Sequence, residues 1–208
     1  LDMFLFASKR FASTSPEADQ ILAAAGVSLH ELLRRSTLDP REHETALYLS
    51  GWEFAGEEES ARYRNALAAA GMTALTDAGS PSAYLSADGD GVRLQTCAIY
   101  WRKANAIHGW FVDNCQGGID ECQESDPIDA EALVYLRSLC VADLDAYLAT
   151  AGQPEDVNLP PRAGFFFGST DLDEWWIADL TDTIAAIDRI IPAAIAARGI
   201  TFTYHASW

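Results

Sequence analysis

Apolar residues recur along this chain at helical spacing in some stretches and alternate in others, with Gly and Pro as punctuation. Met3 to Ala7 is a short apolar run that predicts a strand. Ser15-Pro16-Glu17 reads as a helix start, with Ser15 as cap and Pro16 in the first turn. That helix runs through Ile21-Leu22 and stops near Gly26. Ser28 caps a second short helix carrying Leu29, Leu32 and Leu33, and Asp39-Pro40 breaks the chain. Ala46 to Trp52 suits a strand. Glu57-Glu58-Glu59 opens a helix to Ala70, its acids well placed against the helix dipole, and Gly71 stops it. Ala83–Ser86 and Val92–Tyr100 flank two Asp-Gly pairs, Asp88-Gly89-Asp90-Gly91, which predicts a hairpin.

The second half continues in the same way. Trp101 to Gln116 reads as one helix, ended by Gly117-Gly118. Asp126-Pro127 starts another, with Leu133, Leu136, Cys140, Leu144 and Tyr147 at helical spacing and Gly152 at its end. Gln153 to Arg162, which contains Pro154, Pro160 and Pro161, is a loop. Gly164-Phe165-Phe166-Phe167-Gly168 reads as a short aromatic strand. Asp171 with Glu174 resembles a capping box for a helix whose apolar face is Trp176, Ile177, Leu180, Ile184, Ile187 and Ile191. Pro192 kinks or restarts that helix, Gly199 stops it, and Ile200 to His205 alternates as a half-buried strand should. These patterns amount to roughly six strands and five or six helices. The expected fold is α+β: a single domain over residues 1–208, a largely antiparallel sheet with helices packed on it.

Composition narrows the function classes. The chain has 208 residues, 49% of them hydrophobic, enough for a sizeable core. Its 14 basic residues face 31 acidic ones, a formal net charge of -17. Such a chain repels a nucleic-acid backbone unless its cations are gathered in one place. No apolar run reaches membrane-spanning length, and no basic amphipathic stripe suits a membrane surface. The apolar part of the first ten residues is short and its charges follow it, unlike a signal peptide, so the expectation is a soluble, cytoplasmic protein. Cys97, Cys115, Cys122 and Cys140 lack zinc-site spacing and read as reduced thiols, with Cys97, Cys115 and Cys140 in the core. The Asp88–Gly91 turn lacks the further oxygen ligands of a calcium loop. No metal site is expected, and no cofactor can be named.

The candidate chemistry lies in two stretches. On a helix from Trp101 to Gln116, Ala104, Ile107, Phe111 and Cys115 make an apolar stripe, with Trp101, Asn105, His108 and Val112 along its flank. Buried polar groups need partners, which the protein or a ligand must supply. Arg102 and Lys103 are two of only 14 cations, and they stand beside Asn105, His108, Trp110, Asn114 and Gln116. Arg is an anion fork, Asn and Gln read amide or base edges, and Trp offers a stacking face. The alternative for His108 and Asn105 is plain packing. The second stretch, Gly168 to Trp176, holds Asp171, Asp173 and Glu174. It reads either as a helix cap or as acids lining a cleft, where Asp171, Asp173 or Glu174 would act as metal ligands or a general base. There is no phosphate loop, dinucleotide glycine pattern, HExxH or nucleophile elbow.

The segments Tyr100-Trp101-Arg102-Lys103-Ala104-Asn105-Ala106-Ile107-His108-Gly109-Trp110-Phe111-Val112, Leu159-Pro160, Gly164 to Glu174 and Ser207-Trp208 resemble a family of uncharacterised proteins of bacteriophages and bacteria. The resemblance covers chiefly the C-terminal half and implies no particular activity. This chain departs from the family pattern in Trp175-Trp176, where relatives tend to carry tyrosines, and in its Ala-rich, acidic helices.

Two readings stay open. In the first the chain is a small enzyme or small-ligand protein for an anionic, nucleotide-like molecule. His108, Asp171 and Asp173 would be its catalytic residues, and Trp101, Arg102, Lys103, Asn105, Trp110, Asn114 and Gln116 its ligand contacts. In the second it is a phage- or prophage-borne interaction protein whose acidic surface meets a basic protein partner, as a DNA mimic does.

Overall fold

The computed structural model describes residues 1–36, 46–164 and 166–208. The chain break read at Asp39-Pro40 and the middle of the aromatic segment, Phe165, lie outside the described residues. Among the described residues five strands form an antiparallel sheet and six α-helices accompany it, so the fold is α+β. The strands are β1 (Asp2–Phe11), β2 (Leu47–Ser50), β3 (Ser82–Asp88), β4 (Gly91–Arg102) and β5 (Ile200–Ser207), in the order β2-β3-β4-β1-β5. The helices are α1 (Pro16–Ala25), α2 (Leu29–Ser36), α3 (Glu57–Ala70), α4 (Asn105–Cys115), α5 (Ala130–Ala149) and α6 (Glu174–Ala197).

The chain falls into two compact units. One comprises Leu1–Leu5, Ile99–Ile191 and Phe202–Trp208, the other Phe6–Ala98 and Pro192–Thr201. Each is assembled from separated stretches, so no linker marks the division and the sequence reads as one domain.

In the Phe6–Ala98 unit the local signals act as written. Ser15 Oγ accepts the Ala18 N–H at 3.1 Å, and Gly26, at φ 68°, closes α1 in the left-handed conformation that glycine adopts freely. Ser28 Oγ accepts the Glu31 N–H and caps α2. Strands β3 and β4 pair with Asp88 opposite Gly91, which leaves a two-residue turn at Gly89-Asp90. Asp88 Oδ1 accepts the Asp90 and Gly91 N–H groups, and Arg10 binds both Asp88 oxygens at 2.7 and 2.9 Å. That pairing pulls the Asp88 carboxyl down to about 2. Lys9 donates to the carbonyls of Ala70 at 3.1 Å and Ala197 at 2.7 Å, so one ammonium satisfies the C-terminal ends of both α3 and α6.

The other unit departs from expectation at several points. Its core stacks Phe111 on Tyr204, ring centroids 4.0 Å apart, with Met3, Leu5 and Ile107 fully buried. The stretch Trp101–Gln116 is not one helix: β4 runs on to Arg102 and α4 begins only at Asn105. Helix α5 starts at Ala130, after Asp129, because Ile128 is engaged in a bridge to Phe202 and its N–H donates to the Phe202 carbonyl. Phe166 and Phe167 lie in a turn, not a strand. Helix α6 continues through Pro192 to Ala197. The cysteines are free thiols: Cys97 and Cys140 are buried, Cys115 only partly so, and Cys122 is exposed. Burial pushes the Cys140 thiol up to about 12. Among the described residues no helix is long and apolar enough to cross a membrane.

Candidate functional site

The corner between β4 and α4 is made without a glycine. Lys103 sits in the left-handed region at φ 62°, a conformation that costs a non-glycine residue about 1 kcal/mol. Its N–H donates to the Leu1 carbonyl at 2.9 Å. Ala104, at φ -73° and ψ 70°, is the centre of an inverse γ-turn closed by Asn105 N–H to Lys103 carbonyl at 2.8 Å. The corner leaves the Arg102 and Lys103 side chains exposed and turns Asn105 inward, where it is 6% exposed.

Asn105 then acts as a clamp. Its Nδ2 donates to the carbonyls of Phe167 at 3.0 Å and Ser169 at 2.8 Å, and its Oδ1 accepts the Arg162 N–H at 2.9 Å. One amide uses three of its four hydrogen-bonding positions to hold the backbone of Arg162, Phe167 and Ser169 to α4. The Arg162 side chain crosses Gly109, where an added Cβ would stand 2.3 Å from its Nε, and reaches the Asp113 carboxylate. Gly168, at φ 91°, lies against Lys103.

The next helix is capped by Asp173, not by the Asp171–Glu174 pair that the sequence suggests. Asp173 Oδ1 accepts the N–H groups of Trp175 at 3.0 Å and Trp176 at 3.1 Å, while the Asp171 N–H turns back to Ser169 Oγ at 3.0 Å. Trp176 is buried and its Nε1 donates to the Leu159 carbonyl. Trp175 is 70% exposed.

These elements enclose a cleft of about 570 Å³, within the range of small-ligand sites. Its lining includes Arg102, Lys103 and Asn105 from the corner between β4 and α4, and Ser169, Asp171, Asp173, Trp175, Trp176 and Asp179 from the turn before α6 and from that helix. The two stretches that carry the candidate chemistry therefore do meet around a hollow. Arg102 and Lys103 have no side-chain hydrogen bond or ion pair among the described residues, although the chain carries 31 acids.

Asp179 was not a candidate from sequence. It lies three residues after Trp176 and one before buried Leu180, and a carboxylate at that spacing on a buried helix face was the available signal. Burial, then the neighbouring charges of Asp182 and Asp173, push its carboxyl up to about 7. No donor reaches that carboxylate among the described residues. From the ordinary 3.8 up to about 7 the folded chain keeps a proton that the unfolded chain has lost, so stability falls as pH rises across that window. Asp179→Asn is expected to be more stable than wild type at pH 8 by about 1–2 kcal/mol, discounted for partial exposure. The gain should vanish near pH 4. Urea denaturation at both pH values checks it, and equal stability at pH 8 would show that the carboxylate ionises without cost.

The other sequence candidates lie elsewhere. His108 has no exposed surface: its Nδ1 meets Tyr204 Oη at 2.7 Å and its Nε2 meets Asp120 Oδ1 at 3.0 Å. A carboxylate only accepts, so Nε2 carries the proton and in the neutral ring Nδ1 accepts from the Tyr204 hydroxyl. Phe167 and Trp208 pack edge-on against the imidazole at 5.0 and 5.6 Å. Both ring nitrogens are thus taken by protein, and the ring does not line the cleft. Trp101 lies behind it, donating from Nε1 to Thr183 Oγ1, which in turn donates to the Asp179 carbonyl. Trp110 is buried, with its Nε1 unpartnered among the described residues. Asn114 donates to the Trp110 carbonyl, and Gln116 donates to the Glu121 and Gln123 carbonyls, so both secure the end of α4 and the loop after it.

Among the described residues no three His, Cys, Asp or Glu side chains are arranged to hold a metal ion. No protein-family model, curated protein or solved structure matches the chain, so the geometry of the cleft carries the functional reading.

Proposed function

We propose that this is a small-ligand protein whose cleft takes an anionic molecule bearing a planar ring, of nucleotide type. On the motif resemblance, we also place it among the phage- and prophage-type proteins. The observation that carries the ligand reading is the pair of unpartnered cations, Arg102 and Lys103, lining the same hollow as the exposed Trp175. In so acidic a chain a cation has many carboxylates available, and these two meet none among the described residues. A guanidinium binds a phosphate or carboxylate as a fork, and a Trp face adds about 1–3 kcal/mol per stacked base. Asp171, beside Ser169, would take hydroxyl donors of the ligand.

The test is titration of the wild type with nucleoside monophosphates at low salt, read by quenching of Trp fluorescence and by thermal shift. Saturable quenching is expected. Arg102→Ala with Lys103→Ala should weaken it at least about tenfold, since each charge-assisted bond contributes about 1.5–3 kcal/mol. Both residues are exposed, so the melting temperature of the double variant should stay near that of the wild type. No response of the wild type to nucleotides or to inorganic phosphate would refute the proposal.

A further inference from the structure

The lining of the cleft holds two cations, Arg102 and Lys103, and also an acid, Asp179, with no hydrogen-bond partner among the described residues. Asp179 lines the cavity from α6, Asp173 also lines it, and the charges of Asp173 and of nearby Asp182 act on the Asp179 carboxyl. Asp173 is occupied by the Trp175 and Trp176 N–H groups, whereas the Asp179 oxygens accept from no group among the described residues. Its backbone is fixed all the same. Thr183 Oγ1 donates to the Asp179 carbonyl at 2.6 Å, and Trp101 Nε1 donates to that hydroxyl at 2.9 Å. The side chain therefore projects from a backbone position held by hydrogen bonds and has no protein partner among the described residues. A half-buried carboxylate in that state calls either for a proton or for a donor brought by the ligand.

The geometry points to a specific occupant. We propose that Asp179 reads the ring of the ligand, its two oxygens accepting a pair of adjacent N–H groups such as the base-pairing edge of guanine, while the ligand's phosphate lies on Arg102 and Lys103. This rests on the cleft reading above and adds the ligand class. An ionised carboxylate is acceptor-only and matches two parallel N–H donors. An adenine edge, with one donor and one acceptor, does not match it. A simple ammonium would satisfy the charge and leave Trp175 without a ring to stack on.

The arrangement links binding to a proton. Near neutral pH the Asp179 carboxyl is about half protonated, with Asp173 and Asp182 opposing its ionisation and Arg102, Lys103 and Asp171 the other charged groups of the cleft. A double N–H donor binds the ionised form and so expels the proton. Affinity should rise with pH and level off above about 8, and at pH 6 it should be about tenfold weaker than that plateau. The ligand's own phosphate also titrates near pH 6, but every nucleoside monophosphate shares that effect and it cancels in a comparison between bases.

Titration calorimetry of the wild type and Asp179→Asn with guanosine, inosine and adenosine 5′-monophosphate at pH 6, 7 and 8 decides the matter. Guanosine monophosphate is expected to bind about tenfold or more tighter than adenosine monophosphate at pH 8. Inosine monophosphate, which lacks the exocyclic amine, should fall between them. At pH 7 the heat should depend on the ionisation enthalpy of the buffer, reporting the released proton. Asp179→Asn should lose both the guanine preference and the proton release while still binding all three through phosphate and ring. If the wild type binds all three alike, with one pH profile that Asp179→Asn leaves unchanged, Asp179 does not read the ring, although the cleft reading stands. If none of the three binds the wild type, the cleft reading itself fails and this assignment with it.

Discussion

Asp143→Ala is expected to cost about 3–4 kcal/mol, because it leaves three donors without their acceptor in or near the core. Asp143 is 1% exposed, on a helix otherwise faced with Leu133, Leu136 and Cys140. Its carboxylate accepts Asn158 N–H at 2.8 Å, Asn158 Nδ2 at 2.6 Å and Leu159 N–H at 2.8 Å. The Leu159 carbonyl in turn accepts Trp176 Nε1. A carboxylate on α5 thus holds the proline-rich loop, and the loop holds a Trp of the cleft wall. Thermal unfolding should show a drop on the order of 10 °C for a chain of this length. Near-ultraviolet circular dichroism should show a weaker Trp signal even at temperatures where the variant is folded. Asp143→Asn keeps one acceptor oxygen but turns an amide toward a backbone N–H, and it should fall between wild type and alanine. A loss below about 1 kcal/mol for the alanine variant would mean that packing of Leu159, not the carboxylate, fixes the loop.

The second large effect is expected at His108. Truncation to alanine opens a cavity beneath Phe167 and Trp208 and strips Tyr204 of the partner for its buried hydroxyl. The cavity and the orphaned group together predict a loss of about 3–5 kcal/mol at pH 8. The loss should shrink in acid. Burial lowers the pKa of His108, against the opposing pull of Asp120. The folded chain therefore resists a proton that the unfolded chain takes up from about 6.5 downward, and wild-type stability falls as pH drops through that window. The alanine variant lacks this dependence, so the two stabilities should converge between pH 7 and pH 5. His205, whose pKa burial also lowers, keeps its own contribution in both proteins. Guanidinium denaturation across that range measures the convergence. Parallel pH profiles would show that the imidazole carries no proton linkage. An alanine variant as stable as wild type at pH 8 would remove the packing role as well.

How far the sequence could be read depended on whether a residue's partner was near it in the chain. Ser15 with Pro16 and Gly26, the acids of α3, Ser28 and the Asp88–Gly91 turn each specify structure within a few residues, and each acts as its chemistry requires. The corner after Arg102 gave no such signal. Strand β4 is buried on both faces over most of its length, so it lacks the alternation that marks a half-exposed strand, and its apolar run passes straight into that of α4. The break falls on Lys103 in a left-handed conformation, where a glycine would have announced it. Within the site, the meeting of Arg102, Lys103 and Asn105 with the Gly168–Asp173 turn was legible from the density of unusual residues. The separation of His108 from that meeting was not, because it depends on Asp120 and Tyr204, which are remote in spacing or in chain position. The role of Asp143 was hidden for the same reason: its partners lie across the bend that follows α5.

The Asn105 clamp has a consequence for how the cleft would fill. The strip from Phe167 to Ser169 is already held in place by a core amide, so its ordering belongs to folding and adds no entropy cost when a molecule arrives. Such a wall behaves as a mould, not as a closing flap. Occupancy would then be governed by encounter and escape, with no slow rearrangement between them.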